Sequence, residues 1–362
     1  MDELKKTTLH AFHERNGARF VGFGGWEMPV QYSGIREEHV AVREKAGLFD
    51  VGHMGEVFVS GPEAAGYLDY LLPQDFSRAL PGKGIYAPMC QADGGVVDDL
   101  IAYCLEPERF LLVVNAANRE KDVKWMEEHA EGFDCKLEDV SDRWGLLALQ
   151  GPEAESILAR LVEPELSGLP RFGIGAYRIS GEAVRVARTG YTGEPGFEIL
   201  VPAEDAERLA ESILEAGISS GLKLAGLGCR DSLRLEAGLP LYGHEISETL
   251  DPLSAGLGWT VKFSKGVDFV GREALRRLKE SGLESRVRHF IVEDRRMARE
   301  GMPVLDGEDP AGKVLSGAFS PLLGKPIGSC LLETASVGSN RLAVEIRNRA
   351  VPIRLKKTPL HR

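Results

Sequence analysis

Two adjacent carboxylates, Asp98 and Asp99, stand in the stretch Gly94-Gly95-Val96-Val97-Asp98-Asp99-Leu100. Two glycines predict a turn, and the β-branched pair after them opens a strand. Side chains on a strand alternate between faces, so Asp99 shares a face with Val97 and Ile101, and Asp98 with Val96 and Leu100. The surroundings are apolar, so at least one of the acids enters a half-buried setting. A carboxylate there is costly unless something pairs with it, and such groups concentrate at functional sites. The competing reading is a turn with one capping and one solvated acid. A third acid, Glu198, follows a glycine-rich turn, Thr189-Gly190-Tyr191-Thr192-Gly193-Glu194-Pro195-Gly196. Arg230 and Arg234 lie one helical turn apart. Arg230 at a helix start opposes the helix dipole, which asks for a partner, either Glu198 or an anionic ligand; a surface ion pair competes. Carboxylates beside aromatics such as Tyr191 and Trp26 suit a flat nitrogen heterocycle. A carboxylate accepts two N–H bonds from an amidine-like edge, and rings cover its faces. Asp99, partly desolvated, would bind or relay a proton at a nearby amine.

These residues need elements to hold them. Thr7 or Thr8 is expected to cap a short helix through about Asn16, closed by Gly17. The run Phe20 to Pro29 is rich in glycine and aromatics without a clear period. A helix carrying Ile35, His39, Val42 and Ala46 follows, with Gly47 as its stop and His39 as a packed core histidine. His53 and Met54 lie between Gly52 and Gly55, where a side chain can reach a pocket. A strand from Val57 to Ser60 then runs into Gly61-Pro62-Glu63-Ala64 and a helix. The same order, strand then Gly151-Pro152-Glu153-Ala154 then helix, returns further on. Each copy continues with further strands and a closing helix, about Arg119–His129 in one and Ala203–Ala216 in the other. This predicts an internal duplication of two α/β units of similar plan, an α+β chain. A duplicated plan would set Glu198 and Asp99 at comparable edges; the plainer reading is a strand acid pointing to water. Gly228 is expected before a short helix, and residues 271–282 form a charged amphipathic helix. From about residue 284 short strands alternate with turn signals such as Asp306-Gly307, predicting a C-terminal antiparallel β-barrel or sandwich.

The chain's 362 residues provide for two or three domains. A net charge of -11 argues against nucleic acid or an anionic membrane as the main partner. No apolar run is long enough to span a bilayer, and the N-terminus lacks the apolar core of a signal peptide. The five cysteines are scattered without a CxxC spacing, which suits thiols in a reducing compartment, the cytoplasm, and no metal site. Signatures for a nucleotide loop, a zinc protease, a serine hydrolase or a dinucleotide cofactor are absent.

Taken together, Gly25-Trp26-Glu27-Met28-Pro29, His53-Met54-Gly55-Glu56, Gly94 to Leu100, Arg188 to Glu198, Gly228 to Gly243 and Phe319-Ser320-Pro321-Leu322-Leu323-Gly324-Lys325 resemble the glycine cleavage system T-protein, a family of aminomethyltransferases. The resemblance covers essentially the whole chain, and the order and spacing of its motifs are specific. It implies a three-lobed fold around a central folate channel. Residues 1–278 would form the folate-binding aminomethyltransferase region, with lobe one at about 1–52 plus 142–245 and lobe two at about 53–141 inserted. Residues 284–362 would form the barrel. It also implies tetrahydrofolate as co-substrate and, as partner, a lipoylated H-protein that brings the lipoyl group. By motif position Asp99 matches the functional aspartate, with Asp98 structural. Glu198 resembles the carboxylate that reads the pterin edge, and Arg230 a further folate contact. Tyr86, Met54, Tyr103, Asn115, Tyr191 and Trp259 are the remaining pocket candidates. Two positions depart from the pattern: Gly52 stands where many relatives have Ser, and Pro359-Leu360-His361-Arg362 replaces an aromatic pair. His361 or Arg362 would then answer the folate carboxylate tail. Two other functions use related chains: a folate-dependent demethylase of a small N-methyl or S-methyl substrate, and a non-catalytic folate-binding iron–sulfur assembly factor. The second carries a Lys-Gly-Cys-Tyr-type motif that this chain lacks.

Overall fold

The computed structural model describes residues 3–362. It is a mixed α/β chain with two open sheets, a small hairpin and a closed barrel. The open sheets repeat one plan. In the five-stranded sheet the order is Lys83–Cys90, Val96–Glu106, Arg109–Val114, Gly55–Ser60, Lys136–Asp139. In the seven-stranded sheet the run Ile174–Ile179, Glu182–Ala187, Gly196–Pro202, Trp144–Gln150 has the same chain order, whereas the next strand, Ala46–Asp50, precedes that run where Lys136–Asp139 follows its own; Val162–Glu163 and Leu222–Leu224 are added at the edges. In both, the strand before the Gly-Pro-Glu-Ala turn lies next to the last strand of the meander that follows it. The turn glycines share a reason. Gly61 has φ +133° and Gly151 +129°, and a Cβ on either would come within 2.5 Å of a carbonyl oxygen, Asp134's and Lys45's respectively. Only a residue without a side chain permits that backbone approach.

The barrel closes through Ser285–Val292, Lys325–Glu333, Asp309–Ser320, Pro303–Asp306, Leu342–Glu345 and Ala350–Leu355. Alternation supplies its core: Phe290, Val304, Val314, Cys330, Leu332, Val344 and Val351 point inward. The strand Pro303–Asp306 escaped the sequence reading because it opens on a proline, a residue that argues against a strand.

Several local expectations are corrected. The first helix is His10–Arg15, without a side-chain cap; the Thr7 hydroxyl instead donates to buried Asp50 at 2.6 Å. Gly47 does not stop its helix, which ends at Glu44, but lies inside the strand Ala46–Asp50. A Cβ there would sit 2.4 Å from Val42, so the glycine lets strand and helix touch. Gly228 likewise lies inside the helix Leu227–Ala237, where a Cβ would meet Ile35 at 2.6 Å. The run Phe20 to Pro29 is largely a hairpin, Arg19–Phe23 paired with Trp26–Gln31, turned by Gly24 and Gly25 at positive φ. His39 is fully buried, as expected.

The chain forms two compact units. The first takes in the chain up to Leu68 together with Phe76–Tyr86 and Leu100–Arg230; the second comprises Asp69–Asp75, Ala87–Asp99 and Asp231–Arg362. Within the second unit, the buried Lys265 holds the segment Asp69–Asp75, the end of the helix Ala64–Leu71 and the loop after it. Its ammonium donates to the carbonyls of Asp69, Leu72 (2.6 Å) and Gln74 (2.8 Å). Burial pushes its pKa down to about 8, yet three acceptors match the three N–H donors of the charged form. Lys265→Met is expected to cost about 3 kcal/mol, the scale of leaving buried acceptors without donors. Urea unfolding measures this, and an unchanged midpoint would remove the tethering role.

Candidate functional site

Asp98 and Asp99 are placed by the turn before them. The Gly94 amide donates to the Gln91 carbonyl (3.0 Å) and the Gln91 amide to the Gly95 carbonyl (2.7 Å). Gly94 has φ +95°, and a Cβ on Gly95 would lie 1.9 Å from the Glu248 carbonyl oxygen. Val96 then donates to the Ser247 carbonyl at 2.9 Å. The strand therefore starts at one defined register. Alternation separates the acids as expected: Asp98 is fully buried, whereas Asp99 is half-buried.

In the first unit Glu198, Tyr103, Tyr191 and Arg230 come together. Glu198 is half-buried on the strand Gly196–Pro202. The Thr189 hydroxyl donates to its carboxylate at 2.5 Å. Thr189 has one proton to give, so the Tyr103 hydroxyl, 2.9 Å from the same oxygen, donates to Thr189. Burial, reinforced by the charge of Glu198, holds Tyr103 as a neutral phenol. The Thr189–Gly196 turn is braced from below. Gln150 donates to the Thr189 carbonyl (3.1 Å) and accepts from the Thr192 hydroxyl (3.0 Å). Arg43 donates to the Thr192 carbonyl (2.6 Å) and to Glu194 (2.9 Å). Gly190 is required because a Cβ would lie 1.9 Å from the Gln150 side chain.

The Arg230 guanidinium stacks over the Tyr191 ring at 4.6 Å. Burial lowers its pKa, while Tyr191 and Glu198 act in the opposite direction; an arginine stays charged regardless. Its Nη1 is buried without a hydrogen-bond partner. The helix carrying it is anchored by buried Glu38, which accepts from the Gly226 amide at 3.0 Å.

His53 is the member that sequence reasoning left out of the site. It is buried, its Nδ1 has no partner, and its ring meets Phe23 edge-on at 5.9 Å. Burial pushes its pKa down to about 4; the Arg230 charge adds to this and Asp50 opposes it. It is therefore neutral at physiological pH. Its loop is set by Asp50, which accepts from the Gly52 amide (2.8 Å) and lies 2.8 Å from His13. The available signal was His53's position between two glycines, beside Met54. Phe23 and Thr189 carried no signal of their own.

The other expected residues occupy varied settings. Met54, Tyr86 and Asn115 are half-buried in the first unit, at the ends or along the strands Gly55–Ser60, Lys83–Cys90 and Arg109–Val114. Trp259 is 57% exposed, in the second unit. His361 lies 3.8 Å from the buried carboxylate of Glu236. No group of His, Cys, Asp and Glu among the described residues could hold a metal ion.

A neutral imidazole nitrogen and a guanidinium N–H without partners, a carboxylate and a stacked phenol thus form one polar, half-enclosed set. Such a set hydrogen-bonds the edge of a flat heterocycle and supplies positive charge beside it.

Residues 9–265 match the GCVT N-terminal domain and residues 286–361 the glycine cleavage T-protein C-terminal barrel domain. An aminomethyltransferase of Desulfitobacterium hafniense is 48% identical over 357 residues, 98% of this chain and 97% of that protein. One from Symbiobacterium thermophilum is 48% identical over 368 residues, 100% and 98% of the two chains. The crystal structure of glycine cleavage system aminomethyltransferase T from Bartonella henselae superposes with a TM-score of 0.91 at 34% identity, covering 99% of this chain and 98% of that one. With both domains matched and near-complete coverage, the chain belongs to the glycine cleavage T-protein family of aminomethyltransferases.

Proposed function

We propose that this enzyme takes the aminomethyl group carried on a lipoyl sulfur of the glycine cleavage H-protein and passes its carbon to tetrahydrofolate. The products are 5,10-methylenetetrahydrofolate, ammonia and the dihydrolipoyl carrier. The carbon exchanges one C–S and one C–N bond for two C–N bonds to folate. Two folate N–H protons leave, one with the thiol and one with ammonia, so the transfer needs no oxidant. Family membership supports the reaction class. The observation that carries the folate assignment is the grouping of Glu198, Arg230, Tyr191 and His53, with two buried nitrogens lacking partners. Tetrahydrofolate fits that set: Glu198 accepts N–H bonds from the pterin edge, and the Arg230 Nη1 and His53 Nδ1 meet polar atoms of the ring or its linker.

Asp99 is assigned to the folate amine, which it orients, and to stabilising positive charge as the C–S bond lengthens. Tyr103, being buried, acts through Thr189 to fix Glu198. Met54, Tyr86 and Asn115, all in the first unit, are assigned to the folate pocket walls. The enzyme works in the cytoplasm, where thiols stay reduced; no helix among the described residues is long and apolar enough to cross a membrane.

The direct test supplies aminomethylated H-protein and tetrahydrofolate and measures ammonia and methylenetetrahydrofolate; absence of folate-dependent ammonia release sinks the proposal. For the pterin contact, Glu198→Ala is expected to raise the tetrahydrofolate dissociation constant at least ~10-fold, the scale of charge-assisted hydrogen bonds lost. Titration calorimetry reads it, and an unchanged constant removes Glu198 from the pterin edge.

A further inference from the structure

In the first unit a concavity of about 550 Å³ lies apart from the residues assigned to folate. It is lined by Phe58, Val140, Trp144, Pro202 and Ala203 and carries Arg109, Arg143 and Arg185. Arg143 is answered by Glu138 at 3.0 Å. Asp142, also in the lining, is held by Arg119 at 2.8 Å. Arg109 and Arg185 are different: neither guanidinium makes a hydrogen bond or an ion pair among the described residues. Arg109 is held in place by its stack over the Phe58 ring at 4.7 Å. Arg185 is half-buried on the strand Glu182–Ala187, which belongs to the other open sheet. Burial and the like charge of Arg109 both disfavour its charged form, with Glu106 opposing.

Two guanidiniums brought from two sheets into one hollow repel each other, an arrangement that an anion between them relieves. The one other carboxylate in the lining, Glu204, is exposed, and the two unanswered cations outweigh it. The volume falls in the range of small-molecule sites. The guanidinium fork matches phosphate and carboxylate geometry. A chain of net charge -11 has no general attraction for anions, so this local excess is specific.

We propose that this concavity binds a small multivalent oxyanion, a polyphosphate or polycarboxylate, clamped by Arg109 and Arg185 with Trp144 against its flank. The site is separate from the one-carbon transfer and does not depend on the folate assignment.

Calorimetric titration of the full chain with pyrophosphate and with citrate, at constant ionic strength set by sodium chloride, tests this. One saturable site is expected for at least one probe, and which probe binds decides between phosphate and carboxylate sources. Arg109→Gln and Arg185→Gln should each weaken that binding at least ~10-fold, as loss of hydrogen bonds to a charged group implies. Aminomethyl-transfer turnover without the anion should stay unchanged. If Arg185→Gln fails to fold, the exposed Arg109 carries the comparison alone. Absence of saturable binding by either probe, or binding that survives the Arg109 substitution, would overturn the proposal.

Discussion

Asp99→Asn is expected to lower turnover of ammonia release at least ~10-fold, the scale at which a positioned carboxylate contributes acid–base or charge stabilisation. Asp98→Asn should lower it much less. The amide keeps the shape of the side chain and removes its charge, so the comparison isolates electrostatics. The basis is alternation on one strand. Asp98 is fully buried and Asp99 half-buried, although they are neighbours in the chain. Asp98 is packed on the same strand face as buried Val96 and Leu100, so its loss should appear in the unfolding midpoint rather than in turnover. Steady-state kinetics with saturating folate and H-protein, beside a denaturation curve for each variant, separates the two. Equal kinetic effects, or none from Asp99, would reverse the assignment of faces.

The largest expected stability effect lies in the second unit. Arg234 is buried and donates to Glu245 (2.7 Å), Asp231 (2.9 Å) and the Ser316 hydroxyl (2.8 Å). Glu245, equally buried, also accepts from the Ser329 hydroxyl and from the Leu241 amide at 3.0 Å. These bonds tie the helix ending at Ala237 to the two barrel strands that carry Ser316 and Ser329. Glu245→Ala removes the guanidinium's buried carboxylate partner and leaves it only that of the half-exposed Asp231, and should destabilise the chain by about 3–5 kcal/mol. Burial alone would raise the Glu245 pKa; Arg234, the two serines and the Leu241 amide outweigh it, and the net direction is down. A depressed carboxylate pKa gives stability that is full above the ordinary value. That stability is lost as pH falls through the lower folded-state value. The unaltered chain should therefore lose stability in acid more steeply than Glu245→Gln, which has nothing to protonate at that position. Parallel acid-denaturation slopes for the two would show that the pair does not carry this linkage.

Much of the fold was legible because its signals are local. The repeated Gly-Pro-Glu-Ala turns marked the duplication, since a glycine that must sit at φ near +130° against another backbone leaves its identity in the sequence twice. The helix Arg272–Ser281, flanked by Gly271 and Gly282, was read almost to the residue. Five of the six barrel strands were visible through alternation and turn residues. Glycine was misread where it serves packing rather than turning. Gly47 and Gly228 lie inside a strand and a helix because neighbouring side chains occupy the space of a Cβ, and nothing local distinguishes such a glycine from a stop. Thr7 was misread as a cap because its acceptor, Asp50, is 43 residues away.

The sequence by itself determined the family resemblance, the duplicated plan, the C-terminal run of barrel strands and the placement of Asp98 and Asp99 on opposite strand faces, all consequences of short-range periodicity and of motif order. Only the tertiary structure decided which polar groups share a site. Tyr103 meets Thr189 across 86 residues, and Arg234 reaches Ser316 across 82. His53 became a candidate for the site only when burial left its Nδ1 without a partner near Arg230. The physical reason is that backbone preference acts over a few residues. Desolvation, charge pairing and hydrogen-bond satisfaction depend on distant segments brought together, and those terms set the chemistry of a side chain.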